Sequence, residues 1–154
     1  GNRFSVTDDR KYEVEDFATA FLRTESGSTL YLEASWAEFS SRTDEFGVAL
    51  LGSKGGAELN VKDYATVGTL QLFTFEDGIQ VDCTPRLPEK PASAGHGEVI
   101  NKFLDSIIDG VPMEPNGRKG LERTALIDAI YKSADKGHEV EVQTVEHLLG
   151  EAIA

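Results

Sequence analysis

The chain has 154 residues, of which 40% are hydrophobic and 27% are charged, and this length and composition are typical of a globular domain with a buried core. Its formal net charge of −12 comes from 15 basic and 27 acidic residues, which opposes binding to nucleic acid phosphates. No apolar run approaches the roughly 20 residues of a membrane helix, and the polar residues at 2–10 are unlike a signal peptide. We therefore expect neither a nucleic acid nor a membrane partner.

A single cysteine, Cys83, is present. It excludes an internal disulfide framework and suits the reducing cytoplasm, which is the predicted location. The chain begins with Gly1 rather than Met, which is a weak hint of a cut segment that keeps a tag remnant.

The first predicted elements form a hairpin. Polar and apolar residues alternate over 14–23, which predicts one long strand, and a second strand is predicted over 29–37. The turn between them, at 25–28, contains Gly27 and joins the two strands as antiparallel neighbours.

Four more predicted strands follow, at 46–51, 57–61, 69–75 and 79–83. The first two are separated by Gly52-Ser53-Lys54-Gly55-Gly56, and three glycines in five residues predict a tight turn with positive φ. The last two are joined through Asp77-Gly78, a strong hairpin signal between apolar runs.

After a proline-rich connection at 84–94 the pattern becomes helical. Apolar residues at helical spacing predict one helix over 99–108 that stops at Gly110, and a second over 121–134 that ends at Gly137. A short strand is predicted at 139–142, followed by a terminal helix capped by Thr144 and running through Leu149.

Strands that precede helices predict an α+β fold, with an antiparallel sheet, helices packed on one face, and the other face available for oligomerisation. We expect residues 1–154 to form a single domain, with residues 143–154 as a C-terminal tail.

The order of these elements resembles the C-terminal domain of the Gfo/Idh/MocA family, which includes glucose–fructose oxidoreductase and inositol dehydrogenase. The resemblance covers nearly the whole chain and is clearest in the helix–turn–helix–strand run at 95–142. It also includes the hairpin segments 14–18 and 30–36, the strand and glycine turn at 48–57, and the helical segments 103–107 and 129–134.

The resemblance implies that this chain is the second half of an enzyme that uses NAD or NADP to oxidise or reduce a carbon of a sugar, cyclitol or related polyol. The cofactor of such an enzyme binds its N-terminal Rossmann domain, at a G-x-G-x-x-G turn. The present sequence lacks that pattern, since the glycines of 52–56 have a different spacing and lead into a strand. We therefore expect no cofactor on this chain alone.

Two catalytic motifs of the family are not matched in their proper context. Glu89-Lys90-Pro91 has the letters of the family's Glu-Lys-Pro motif, but it lies in the proline-rich connection rather than after a buried strand. Asp8 and Asp9 have no histidine at the spacing of the family's Asp-x-x-x-His pair. No catalytic residue is predicted in this chain, and the chain alone is expected to be inactive.

The connection between the second and third strands is the best candidate for substrate contacts. Its aromatic ring can stack on a sugar face, and its charged groups can bond hydroxyls; the residues are Trp36, Glu38, Arg42, Asp44 and Glu45. The alternative is a solvated loop, with Trp36 as a sheet or interface residue.

His96, between Gly95 and Gly97 at the start of the first helix, is a further candidate for orienting a substrate hydroxyl. The alternative is a partly exposed polar residue without a role in binding. His138 and His147 have no second ligand at a metal-binding spacing, so no metal is predicted.

The free sheet face is expected to carry Leu30, Leu32 and Trp36 and to mediate assembly. The resemblance implies a homodimer for this chain and a dimer or tetramer for the whole enzyme. The rival hypothesis is a stand-alone binding or interaction module of the same fold. A small hydrolase has little support, because the sequence has no nucleophile elbow.

Overall fold

A computed structural model describes residues 14–37, 45–63, 65, 69–88 and 94–153, and only the backbone at 94 and 151–153. These residues form six strands followed by three helices. The strands are β1 (Phe17–Arg23), β2 (Thr29–Ser35), β3 (Glu45–Gly52), β4 (Gly55–Lys62), β5 (Leu70–Glu76) and β6 (Ile79–Cys83). The helices are α1 (Ala94–Ile108), α2 (Gly117–Lys136) and α3 (Val145–Ile153).

The α+β prediction is confirmed, and every strand pair is antiparallel. In the described residues the strands form two sheets rather than the one that was expected: β1 pairs with β2, and β3 to β6 follow one another in sequence order. By internal contacts the chain divides into a terminal unit, Gly1–Glu38 with Asp105–Ala154, and a central unit, Phe39–Leu104. The first part of α1 belongs to the central unit and its end to the terminal unit.

The central unit is a meander whose neighbouring strands are joined in sequence order. At the β5–β6 turn, Asp77 has a φ of 50° and Gly78 a φ of 80°, and Glu76 pairs with Ile79. Positive φ at both central residues is the geometry of a two-residue type I′ hairpin, so the hairpin predicted at this position is confirmed.

The β3–β4 turn corrects one prediction. Gly52 pairs with Gly55 across a two-residue loop, but none of the glycines at 52, 55 and 56 has a positive φ. They provide space instead, because a Cβ on Gly55 would lie 2.6 Å from the Phe73 carbonyl oxygen and one on Gly56 would lie 3.0 Å from that of Leu50. Backbone proximity, rather than turn geometry, is the reason for glycine here.

In the terminal unit, β1 and β2 form the predicted hairpin, with a register that runs from Phe17 opposite Ser35 to Arg23 opposite Thr29. Gly27 has a φ of 87° in the turn. The strand begins at Phe17 rather than at residue 14, because the preceding carbonyl groups accept bonds from Ser35 and Trp36 rather than from a ladder partner.

Local capping sets the ends of α2. The Asn116 side chain accepts a hydrogen bond from Lys119 N at 3.1 Å, and Gly137, with a φ of 69°, donates from its N–H to the Ser133 carbonyl oxygen at 2.9 Å. These bonds satisfy backbone groups that a helix end leaves unpaired. The predicted stop at Gly137 is therefore confirmed.

The last two predicted elements had different outcomes. Thr144 Oγ1 accepts a bond from His147 N at 3.3 Å and caps α3, which continues beyond Leu149 to Ile153. The strand predicted at 139–142 is not found, because these residues have no ladder partner among the described parts of the chain. Glu139 contacts β1 through its carboxylate, which binds Arg23, and not through its backbone.

Small residues form the buried part of the terminal unit among the described residues. Ala37, Ala125, Ala129 and Val145 are each at most 7% exposed. Ala125 and Ala129 are four residues apart, so the buried residues of α2 share one face of the helix.

Candidate functional site

The site is built around Trp36, directly after β2. Its indole Nε1–H donates to the Glu15 carbonyl oxygen at 2.8 Å, and its backbone N–H donates to the Asp16 carbonyl oxygen at 3.4 Å. The side chain is nonetheless 58% exposed. The ring is therefore held at its nitrogen edge while much of its surface faces solvent.

Ser35 fixes the backbone on either side of this ring. Its hydroxyl donates to the Asp16 carbonyl oxygen at 2.9 Å and accepts from Ala37 N at 3.3 Å. Because Ala37 is buried, the chain turns inward directly after the exposed ring. Sequence alone places Trp36 near a strand end, and these bonds explain why the strand ends at Ser35.

A second contact joins Glu15, whose carbonyl oxygen accepts from the indole, to α2. Tyr131 Oη donates to Glu15 Oε2 at 2.5 Å, across 116 residues of sequence. This bond holds the pKa of the Glu15 carboxyl below its ordinary value and raises the pKa of the Tyr131 phenol, since it stabilises the carboxylate and the neutral hydroxyl together. Glu15, Trp36 and Tyr131 are called the Trp36 cluster below.

The opposite end of the hairpin is also tied to the C-terminal part of the chain. Arg23 Nε donates to Glu139 Oε1 at 3.2 Å, and Arg23 Nη2 contacts Glu139 Oε2. Two parallel bonds of this kind form the bidentate pairing that favours arginine over lysine. The contact lowers the pKa of the Glu139 carboxyl and raises that of the Arg23 guanidinium.

The two faces of the hairpin differ in chemistry. Residues directly opposite one another share a face, so the pairs Ala18–Ala34, Ala20–Leu32 and Leu22–Leu30 make one face wholly apolar. Leu30 is 49% exposed and Leu32 is 39% exposed on that face. The other face mixes aromatic, hydroxyl and charged side chains, including Phe21, Tyr31 and Glu33.

The remaining predicted site residues are distributed over the chain. Glu45 is the first residue of β3 in the central unit, half-buried, and lies opposite Lys62 in the register. His96 is the third residue of α1 and is exposed. Glu38, Arg42 and Asp44 lie outside the described residues, as do Asp8, Asp9 and Glu89-Lys90-Pro91.

Two members of the Trp36 cluster were not predicted. Glu15 was assigned to the alternation of the first strand, and Tyr131 to the apolar stripe of the second helix. Neither assignment signals that the two side chains meet, because the bond joins positions 116 residues apart. A tyrosine on an otherwise apolar stripe was the one available hint, since a tyrosine hydroxyl usually has a partner.

A metal site and a membrane-spanning helix are two further features that a site could include. Within the part of the chain that the structure describes, no three His, Cys, Asp or Glu side chains are grouped to hold a metal ion. Among the described helices, none has both the length and the apolar character needed to cross a membrane.

Comparison with known proteins identifies a family. Residues 2–142 match the sequence model for the Gfo/Idh/MocA oxidoreductase family, C-terminal alpha/beta domain. The match includes every member of the Trp36 cluster and ends before α3. A search of curated proteins returned no match.

Proposed function

The chain belongs to the Gfo/Idh/MocA oxidoreductase family as a C-terminal domain, and from this we propose that it binds substrate and mediates assembly for an NAD(P)-dependent dehydrogenase in the cytoplasm. The proposed substrate is a sugar, cyclitol or related polyol. The proposed intramolecular partner is an N-terminal Rossmann domain of the same enzyme, which holds NAD or NADP.

The observation that carries this proposal is the geometry of Trp36. An aromatic ring that is fixed at its N–H edge and 58% exposed suits stacking on the C–H face of a sugar or cyclitol. The polar residues predicted to contact substrate, Glu38, Arg42, Asp44 and Glu45, follow Trp36 in sequence, and side chains of this kind suit hydrogen bonds to hydroxyl groups. His96 remains a separate candidate contact.

In this proposal the chemistry is divided between the two halves of the enzyme. The sequence lacks the G-x-G-x-x-G turn that binds a dinucleotide, so hydride transfer depends on the N-terminal domain. This chain contributes binding and orientation, which raise the rate by holding the reacting carbon near the cofactor. The isolated chain is expected to bind polyol without turning it over.

Saturation-transfer difference NMR on the 154-residue chain tests the binding role, with myo-inositol, glucose and xylitol as probes and NADH and NADPH as comparisons. We expect transfer to at least one polyol and none to the dinucleotides. Trp36→Ala should weaken polyol binding about three- to tenfold, and Trp36→Phe should retain part of the affinity. Unchanged affinity in Trp36→Ala, or NAD(P)-dependent turnover by the chain alone, would contradict the proposal.

The assembly role rests on the apolar face of the hairpin. Leu30 and Leu32 lie with three alanines and Leu22 on a face without a charged residue, and we propose that a second copy of the chain covers it. Light scattering after size exclusion should give a dimer for the native chain and a monomer for Leu30→Glu. Thr29→Glu, on the opposite face, is the matched control and should remain dimeric. A native monomer, or equal effects of the two changes, would refute this role.

A further inference from the structure

The position of Trp36 depends on a residue that the hairpin ladder does not hold. The indole N–H donates to the backbone carbonyl oxygen of Glu15 at 2.8 Å, so a shift of residue 15 moves the acceptor that holds the nitrogen edge of the ring. The first ladder pair of the hairpin is Phe17 with Ser35. Glu15 therefore lies outside the sheet that orders the rest of the hairpin.

The side chain of Glu15 adds a restraint from outside the hairpin. Tyr131 Oη donates to its carboxylate at 2.5 Å, and this hydrogen bond lowers the pKa of the Glu15 carboxyl. Tyr131 belongs to a helix of 20 residues that has a side-chain cap at Asn116 and a left-handed glycine cap at Gly137. A well-terminated helix thus fixes residue 15, and residue 15 fixes the ring.

We propose that Glu15 and Tyr131 are positioning residues that fix the Trp36 ring for stacking against substrate. The substrate part of this inference rests on the proposed function, whereas the restraint on the ring does not. A ring that is ordered before binding loses less conformational freedom when a ligand stacks on it. Loss of the Tyr131 hydroxyl should therefore loosen the ring and weaken binding without removing any direct contact to the ligand.

The chain contains a matched control for this bond. Tyr31 Oη donates to Glu33 Oε2 at 3.1 Å, which is the same pairing of a phenol with a glutamate. Both partners belong to β2, so this bond joins two residues of one strand and not the hairpin to a helix. Tyr31→Phe removes the same oxygen atom as Tyr131→Phe and leaves the connection to α2 intact.

Time-resolved fluorescence anisotropy tests the restraint directly, because Trp36 is the single tryptophan of the chain. In the 154-residue protein we expect Tyr131→Phe to increase the amplitude of fast ring motion, with Tyr31→Phe matching the native chain. Circular dichroism should show the same helix content in all three. Equal ring motion in the native chain and both variants would overturn the proposal.

A folding defect in Tyr131→Phe would be recognised by lost helix signal. In that case Glu15→Gln decides by the same anisotropy criterion, since it keeps the backbone carbonyl that receives the indole N–H. Where the native chain binds myo-inositol, Tyr131→Phe should raise the dissociation constant about threefold, and an unchanged constant would overturn the role in binding. Failure of the native chain to bind any polyol would refute the proposed function, while the anisotropy result would still decide the restraint.

Discussion

The two units of this chain are each stabilised by a different kind of contact. The central unit is a meander in which each strand pairs with the next, through the β3–β4 loop and the type I′ turn at Asp77-Gly78. The terminal unit brings together the two ends of the chain, and its hairpin is tied to later residues by Tyr131–Glu15 and Arg23–Glu139, each across 116 residues. The proposed ligand platform belongs to the unit with the long-range side-chain bonds.

Because the contacts differ, substitutions in the two units should affect different properties of the chain. A backbone ladder is continuous, so an atom that does not fit at one strand crossing disturbs several hydrogen bonds at once. Loss of a single exposed side-chain bond costs little free energy of unfolding, although it releases the group that the bond positioned. We therefore expect stability to depend most on close backbone approach in the central unit, and the placement of Trp36 to depend most on the terminal unit.

The largest effect is expected at Gly55. In Gly55→Ala the new Cβ would lie 2.6 Å from the Phe73 carbonyl oxygen, a backbone atom that cannot rotate away. We expect a loss of about 3 kcal/mol in the free energy of unfolding, measured by urea denaturation. Gly97→Ala is the control, because it meets no atom within 4 Å, and it should stabilise α1 by about 0.5–1 kcal/mol. Equal effects at the two positions would contradict the strand-approach argument.

An intermediate effect is expected at the N-terminal cap of α2. Asn116→Ala removes the oxygen that accepts from Lys119 N at 3.1 Å, and it should cost about 1 kcal/mol in the free energy of unfolding. Asn101→Ala makes the same change at an exposed position inside α1, where alanine should be neutral or slightly stabilising. Thermal melts followed by circular dichroism would measure both, and a loss at Asn101 as large as at Asn116 would show that no cap is acting.

The smallest effect is expected from the pair of Arg23 with Glu139, which are both exposed. Because folding lowers the pKa of Glu139, the pair contributes above the unfolded-state value of about 4.3, and its contribution is lost as the pH falls through the folded pKa. Arg23→Gln should therefore lower the urea midpoint slightly at pH 7, and the difference from the native chain should vanish at acid pH and shrink in 1 M salt.

Lys132→Gln is the control for that experiment. Lys132 Nζ lies 2.6 Å from Asp128 Oδ2 within α2. Removal of this ion pair therefore leaves the contact between Arg23 of the hairpin and Glu139 intact. An Arg23→Gln effect that does not change with pH would mean that Glu139 is not the partner that matters.

The local features of the fold were readable from the sequence. The hairpin with Gly27, the Asp77-Gly78 turn and the stop at Gly137 each depend on residues a few positions apart, and turn and cap chemistry is specific at that range. The wrong predictions depended on distant partners. Gly55 lies against the backbone of Phe73, and within the described residues the segment 139–142 is joined to β1 by the Glu139 side chain instead of by a strand ladder.

The candidate site was predicted only in part, for the same reason. Trp36 was predicted as a substrate contact because it is an aromatic residue near a strand end. Its proposed role requires that the ring be exposed, and it is. Glu15 and Tyr131 looked like members of regular elements, because alternation and helical spacing describe each element alone. Which side chains of two elements meet is decided by packing, and no local pattern encodes it.

Trp36 is proposed to form the ligand platform of this domain. The chain has one tryptophan, so a ¹H–¹⁵N correlation spectrum contains a single indole N–H signal. Titration with myo-inositol and the other polyol probes should move that signal, together with the backbone amides of residues 15–17 and 35–37, in a saturable manner. A saturable shift confined to other residues, or no shift with any polyol, would contradict the claim.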